Sequence, residues 1–307
     1  MSRRRAKRRR GGGPDSGSIQ HGRVTPYLFS APAVFAVAAI LAFPVLYGVV
    51  QSLFRAKSIG LPTSFVGIDN YAEMFGDPEF WASLRISVVF VLGCLIVSTV
   101  VGVTFAFALH RALGAARFLR AVTIAPYIVS SVAAAVMFRI LFNGDFGLLN
   151  RILEFFGFGG LPWLTNEHLA MLVVIFCQVW TDVPLTILLV LAGLQSIDQS
   201  YMDAALVDGA TGWKRSWYVS LPLVAPQIAI SIVWESYSTL TGLGVVLALT
   251  GGGPLKATYT LPMNMYATAF TSLEMNQALA IGTFILVLNA VLTVMFIQVS
   301  RRFGTED

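Results

Sequence analysis

Long apolar segments without charged residues alternate with polar connections along most of this chain. Residues 24–54, 86–110 and 275–300 contain no aspartate, glutamate, lysine or arginine. Each is longer than the about 20 residues that cross the hydrocarbon core of a bilayer. Three further apolar segments contain only one or two charged residues each. The pattern predicts six transmembrane helices, at residues 27–54, 86–110, 118–142, 169–195, 223–249 and 277–300.

The composition agrees with this pattern. The chain is 56% hydrophobic and only 12% charged, whereas a soluble domain carries about 25% charged residues. This excludes a soluble enzyme, a disordered chain and a nucleic-acid-binding domain as descriptions of the whole molecule. The sequence therefore predicts an all-α membrane protein whose transmembrane domain covers residues 27–302.

The net charge of +5 is concentrated at the N-terminus, where seven basic residues between positions 3 and 10 precede a Gly-Gly-Gly-Pro segment. Residues 1–26 are predicted to form a disordered basic tail. Two functional interpretations of such a tail are contact with nucleic acid and contact with anionic lipids, but we favour a topology signal that keeps the tail in the cytoplasm. Both termini are then cytoplasmic, including a short tail at residues 303–307, and no nucleic acid partner is expected.

The cysteines and histidines do not indicate a metal site. Cys94 and Cys177 lie singly in apolar segments, and the three histidines are far apart in the sequence. Neither set has the spacing of a zinc site or a disulfide framework. We expect the two cysteines to act as small buried apolar side chains.

One connection, residues 196–222, differs from an ordinary polar loop. Asp198 is a good N-cap, and the residues after it place small and apolar side chains on one helical face. Gly209 can supply the left-handed turn that ends a helix. The segment predicts two short helices with a glycine elbow, which suits insertion into a groove of a partner protein.

This connection resembles the EAA loop of bacterial ABC importer permeases. The family pattern is Glu-Ala-Ala, three residues, Gly, nine residues, Ile, one residue and Leu-Pro. The present chain matches its spacing with Asp203-Ala204-Ala205, Gly209, Val219 and Leu221-Pro222. It departs from the pattern by Asp for Glu and Val for Ile. Segments 65–71, 250–254 and 266–270 are similar to outer-loop signatures of the sugar-permease branch.

The resemblance implies a type I ABC importer permease with six helices. It implies a second permease subunit in a heterodimer, two ATPase subunits docked on the coupling loop (residues 196–222), and an extracytoplasmic solute-binding protein. It places the chain in the bacterial plasma membrane, within the lipid bilayer. Contact with the ATPase is assigned to five residues of the coupling loop: Asp203, Ala204, Ala205, Asp208 and Gly209.

The chain lacks a Gly-x-x-x-x-Gly-Lys-Ser/Thr phosphate-binding loop. We therefore expect no enzymatic activity and no cofactor in this chain, with ATP and Mg²⁺ bound by the partner ATPases.

Two acids, Asp182 and Glu235, lie inside predicted spans, where an ionisable group is a functional candidate. Hydroxyl, amide and aromatic side chains lie one turn or less from them, which suits a hydrated sugar. The predicted substrate pathway comprises Gln178, Asp182, Glu235, Tyr237, Ser238 and Thr239. Two alternatives are structural pairing of the acids, for instance with Arg139 or with a residue of the partner permease, and proton coupling.

The sequence thus predicts a permease subunit of an ATP-driven importer for a carbohydrate or related polyol. A proton-coupled secondary transporter using Asp182 and Glu235 is the alternative, and a membrane-embedded enzyme or scaffold is a third hypothesis. The coupling loop favours the first, because a proton-driven carrier has no ATPase to dock.

Overall fold

The computed structural model describes residues 25–58, 61–111 and 116–304. Most of the predicted basic tail, and residues 305–307 of the C-terminal tail, lie outside these ranges. The chain forms two compact units, Met1–Tyr47 and Gly48–Asp307.

The described part of the first unit is helical. Helix α1 (Thr25–Val37) continues through a π-helical turn (Ala38–Ala42) into α2 (Phe43–Gln51), whose last residues belong to the second unit. Residues Ser30–Gln51 are long and apolar enough to cross a membrane. Pro44, at the second position of α2, does not end the helix, since its missing N–H falls close to the π-helical turn.

The second unit contains one departure from the predicted all-α class. Strands β1 (Phe54–Ser58) and β2 (Leu61–Phe65) form an antiparallel pair before helix α3 (Asp69–Gly76). The buried Asn70 closes the end of this hairpin, because its Nδ2 donates to the carbonyl oxygens of Ser52 (2.6 Å) and Phe54 (2.9 Å).

Two long helices, α4 (Pro78–Arg111) and α8 (Glu167–Ser196), pack along each other at the centre of the second unit. Small residues allow the close approach. A Cβ at Gly102 would lie 2.5 Å from Cγ2 of Thr186, so only glycine fits there. Between them in sequence are α5 (Ala116–Ile128), α6 (Ser131–Leu141) and α7 (Leu148–Phe155).

The third predicted span is a broken one. Helices α5 and α6 meet at 102°, although together they are long and apolar enough to cross a membrane. Pro126 lies in the last turn of α5, where it removes a backbone donor, and Ser130 is extended between the helices. The span predicted over residues 118–142 is therefore formed by two helices and not by one.

The coupling loop contains α9 (Gln199–Val207), α10 (Gly212–Arg215), a π-helical turn (Ser216–Ser220) and α11 (Leu221–Leu223). Helix α12 (Ala225–Thr241) follows after a 65° bend. The fifth predicted span, residues 223–249, is longer than the helix that the structure shows. The backbone of Gly242 is extended and ends α12, and a separate helix, α13 (Gly244–Leu249), follows. The chain closes with α14 (Leu261–Phe270) and α15 (Met275–Gly304).

Among the described residues, four helices are long and apolar enough to span a membrane, and the number is six if each bent pair forms one span. The predicted number of six is the upper end of this range. The larger buried cluster joins α4, α6, α8 and α13 and contains both free cysteines, as expected for buried apolar side chains. A smaller cluster joins α3, α4, α14 and α15.

Candidate functional site

Helix α8 carries the first half of the candidate pathway. Its N-terminus is capped by Asn166, whose side chain accepts hydrogen bonds from the N–H groups of His168 and Leu169. Gln178 and Asp182 lie one turn apart on this helix, and both are buried. The Gln178 Nε2 donates to Oδ2 of Asp182 at 2.6 Å.

Helix α12 completes this polar group from the other side. The Ser238 hydroxyl donates to the same Asp182 oxygen at 2.9 Å, so one carboxylate oxygen accepts from two helices. Asp182 is only 8% exposed. A buried carboxylate with two donors is stabilised in place, which fixes the relative rotation of α8 and α12 at this level.

A cavity of about 220 Å³ opens onto this hydrogen-bonded group. Gln178, Asp182 and Ser238 line it together with seven residues that are not among the six predicted for the pathway. These are Tyr127, Val129, Thr181, Ser131, Gly242, Gly244 and Val245. Several of them flank the break between α5 and α6 or the break between α12 and α13. In the sequence, Pro126 and the glycines at 242 and 244 interrupt apolar segments at these places, and this signal could have identified the lining residues.

Three other predicted pathway residues do not line this cavity. Glu235 is 2% exposed and packs against α4, where its Oε2 accepts a hydrogen bond from the Ser98 hydroxyl at 3.2 Å. Its Oε1 is buried without a hydrogen-bond partner in the described chain. Thr239 is buried one turn further along the same helix. Tyr237 is exposed on another face, where its ring contacts Trp234.

The structure does not pair either acid with Arg139. Ion pairs among the described residues join Arg55 to Glu73, Arg151 to Glu154 and Lys256 to Glu79. Arg139 instead lines a separate polar cavity of about 580 Å³, together with Asn143, Asp145 and Trp163. That alternative for Asp182 and Glu235 is therefore not supported within this chain.

The coupling loop has the predicted helix–elbow–helix form. The Asp198 side chain accepts from the Ser200 N–H at 2.8 Å, and hydrogen bonding to Ser200 lowers the pKa of this exposed carboxyl. Helix α9 ends at Val207, and Gly209, two residues further on, has a φ of +75° in the left-handed region. The second helical segment begins at Gly212.

The predicted ATPase contacts on this loop divide into exposed and buried residues. Asp203, Ala204, Asp208 and Gly209 are exposed, and Asp203 accepts a hydrogen bond from Gln199 at 3.0 Å. Ala205 is only 5% exposed, because α9 packs on the π-helical turn of the same chain. The Ala205 side chain is therefore covered by this chain itself, whereas the Ala204 side chain is exposed, and the assignment of both residues to ATPase contact stays a prediction.

Within the described part of the chain, no three His, Cys, Asp or Glu side chains are placed to hold a metal ion.

Comparison with known proteins identifies the family. Residues 98–305 match the family described as "Binding-protein-dependent transport system inner membrane component". The chain is 31% identical to the sn-glycerol-3-phosphate transport system permease protein UgpA of Agrobacterium fabrum, covering 88% of this chain and 92% of that protein. It is also 31% identical to the trehalose/maltose transport system permease protein MalF of Thermococcus litoralis, covering 90% and 93% respectively.

The fold agrees with a solved transporter. A subunit of a bacterial ABC transporter involved in the import of the acidic polysaccharide alginate superposes with a TM-score of 0.80 and 20% identity, over 91% of this chain and 96% of that chain. The family match, the relatives and the apolar spans agree with one another. The chain therefore belongs to the binding-protein-dependent transport system inner membrane components, as a multi-pass permease subunit of an ABC importer in the plasma membrane.

Proposed function

We propose that this chain forms half of the translocation pathway of an ATP-driven importer for a carbohydrate or related polyol. The observation that carries the proposal is the hydrogen-bonded group of Gln178, Asp182 and Ser238 on the cavity between α8 and α12. Amide, carboxylate and hydroxyl groups are able to donate to and accept from the hydroxyl groups of a sugar. The Tyr127 ring on the same cavity offers an apolar face.

The size of the cavity suits a shared pathway. Its volume of about 220 Å³ is below the roughly 300–1,000 Å³ of common small-molecule sites. A second permease subunit facing this one would enlarge it, which supports a permease pair, formed in our proposal by two different chains. The named relatives transport glycerol phosphate or trehalose and maltose, all of them polyhydroxylated solutes. The relatives give no support to the proton-coupled alternative.

The remaining partners follow from the coupling loop. Two ATPase subunits dock on the exposed face of α9, and a solute-binding protein delivers the substrate to the outer face. One solved relative contains an alginate pentasaccharide-bound periplasmic protein. Nucleotide and Mg²⁺ bind to the ATPases, which supply the catalytic groups for ATP hydrolysis.

The proposed substrate class is tested with the assembled transporter in proteoliposomes. Binding proteins loaded with neutral disaccharides, polyols or glycerol phosphate are compared for their stimulation of ATP hydrolysis and uptake. We expect a neutral polyhydroxylated solute to be transported best, because the described lining of the cavity contains no lysine or arginine side chain that could bind a phosphate. Preferred uptake of an apolar or cationic solute would contradict the proposal.

The exposed position of Ala204 provides a test of ATPase docking. We expect Ala204→Trp to reduce the amount of ATPase that co-purifies about ten-fold or more, since overpacking a protein groove costs about 1–3 kcal/mol. Insertion of the chain should be unchanged. Gly159→Trp, at an exposed position with open space around it, is the matched control. Full ATPase retention in Ala204→Trp would move the docking contact away from this residue.

The proposed topology, with both termini in the cytoplasm, predicts which positions react with membrane-impermeant thiol reagents. Cys94 and Cys177 are buried, so single new cysteines are readily detected. Val207→Cys, at a position 87% exposed on the coupling loop, should react only from the cytoplasmic side. Phe155→Cys, at the last residue of α7, where the side chain is 85% exposed, should react only from outside. Reaction of both cysteines from the same side would invalidate the six-span topology.

A further inference from the structure

The second half of the coupling loop carries an exposed aromatic and basic surface that docking of the first half does not explain. We name it the aromatic–basic surface, and it consists of Trp213, Lys214, Arg215, Trp217 and Tyr218. From its composition and position we infer that it binds the headgroups of anionic phospholipids in the cytoplasmic leaflet.

The aromatic residues are exposed in a way that is unfavourable in water. Trp213 is 71% exposed and Tyr218 is 73% exposed, and the Trp213 and Trp217 rings stack with their centroids 5.7 Å apart. None of the three has a side-chain hydrogen bond within the described residues. Amphipathic tryptophan and tyrosine rings are enriched at the headgroup level of membranes, where one edge is apolar and the other hydrated.

The charge on this segment is of one sign. Lys214 is exposed, Arg215 is half-buried, and neither forms an ion pair within the described part of the chain. Residues 209–234 contain no aspartate or glutamate. Helix α9 and its flanks, by contrast, carry Asp198, Asp203 and Asp208. The loop thus has an acidic first helix and a basic, aromatic second one, and only the second matches an anionic lipid surface.

The position of the segment matches the membrane interface. The helical stretch Gly212–Leu223 leaves α12 at 65°. Since transmembrane helices tilt on average about 20° from the bilayer normal, such a stretch runs closer to the membrane plane than to the normal. The guanidinium of Arg111, in the last residue of the spanning helix α4, donates to the Gly212 carbonyl and to the Ser216 hydroxyl. The stretch therefore begins level with the end of a span.

The inward side of the same stretch is already occupied by this chain. Ser220 is buried, and Val224, at the bend, is fully buried. The rings and basic groups consequently point away from the bundle. A layer of anionic lipid headgroups explains three features together: the positive charge of the surface, its exposed aromatic rings and their direction away from the bundle. An ATPase docked on the acidic helix α9 explains none of these features.

Lipid-specific fluorescence quenching tests the inference on the complete transporter in nanodiscs. Because the chain contains six tryptophans, the fluorescence of Trp213 and Trp217 is obtained as the difference between the wild type and the Trp213→Phe/Trp217→Phe double variant. Phosphatidylglycerol and phosphatidylcholine, each brominated near the top of the acyl chains, are compared at equal mole fraction. We expect phosphatidylglycerol to quench the pair more strongly.

Neutralising the basic residues should remove this preference. Lys214→Gln and Arg215→Gln are each expected to lower it about five-fold, the equivalent of about 1 kcal/mol per charge near the surface. Arg151→Gln, at an exposed arginine before the end of α7, should leave it unchanged. Soluble glycerol phosphate should not compete, because the proposed ligand is a lipid in the leaflet.

Two results would overturn the inference. Equal quenching by both lipids would show an interfacial position without recognition of the anionic headgroup. Absence of quenching by either lipid would show that protein covers the pair, and the surface would then belong to the ATPase or the second permease. Both outcomes leave the proposed transport function intact, because uptake by the wild-type transporter is measured separately.

Discussion

Replacement of Gly209 by valine is expected to lower ATP-driven uptake at least roughly ten-fold while the chain still inserts into the membrane. Gly209 has a φ of +75°, and the left-handed conformation costs a residue with a Cβ about 1–2 kcal/mol, and more for a β-branched side chain. The space around it is open, since a Cβ there would have no atom within 4 Å. The expected defect is therefore one of backbone conformation and not of a clash.

The physical consequence of the substitution is a change in the angle between the two helices of the coupling loop. Helix α9 would no longer turn into α10 at the present elbow, so a movement of the ATPase would no longer reach α12. Uptake, ATP hydrolysis and ATPase retention should be measured on the same preparation. We expect hydrolysis that is no longer matched by transport, or loss of the ATPase.

Gly159→Val is the matched control for this prediction. Gly159 also has open space around it, but its φ is outside the left-handed region, so valine is accommodated without backbone strain. The control should transport normally. If Gly209→Val also transported normally, the elbow would not be the coupling element, and the assignment of the loop would lose its main support.

Replacement of Asp182 by asparagine is expected to reduce uptake roughly 10- to 100-fold with the complex still assembled. A hydrogen bond to a charged group contributes about 1.5–3 kcal/mol, and the variant removes the charge on the cavity. The amide oxygen of asparagine is able to accept from Gln178 and Ser238 as the carboxylate does. The local packing should therefore persist, and the substrate concentration for half-maximal ATPase stimulation should rise.

Glu235→Gln is the informative comparison, because the sequence treats the two acids alike and the structure separates them. Glu235 does not line the cavity, and its described partner is Ser98 on α4. We expect uptake to fall less in Glu235→Gln than in Asp182→Asn. Equal losses in both variants, accompanied by dissociation of the complex, would assign both acids a structural role in the bundle.

Much of this molecule could be predicted from local sequence alone. The lengths of the apolar segments defined the number of spans, because crossing the hydrocarbon core requires a fixed helix length. The coupling loop was predicted in detail, with its N-cap at Asp198, its left-handed glycine at 209 and its short second helix. These features depend on residues within a few positions of one another.

The interruptions of the spans were predicted less well. Pro126 and Gly242 were visible in the sequence, but proline and glycine are tolerated in membrane helices when neighbouring helices satisfy the freed backbone groups. Whether such a residue bends, ends or merely strains a helix depends on what packs beside it. Here α13 packs on α6 and α8 as a separate helix, which a residue pattern along one segment does not reveal.

The sequence by itself determined that this chain spans a membrane and presents a coupling loop, since hydrophobic length and helix-capping chemistry are local properties. Only the tertiary structure decided which polar residues share a cavity. Periodicity places Gln178 with Asp182, and Glu235 with Thr239, on a face of their own helices. The rotation of α8, α12 and α4 against one another, set by contacts such as Gly102 with Thr186, brings Ser238 to Asp182 and turns Glu235 towards Ser98.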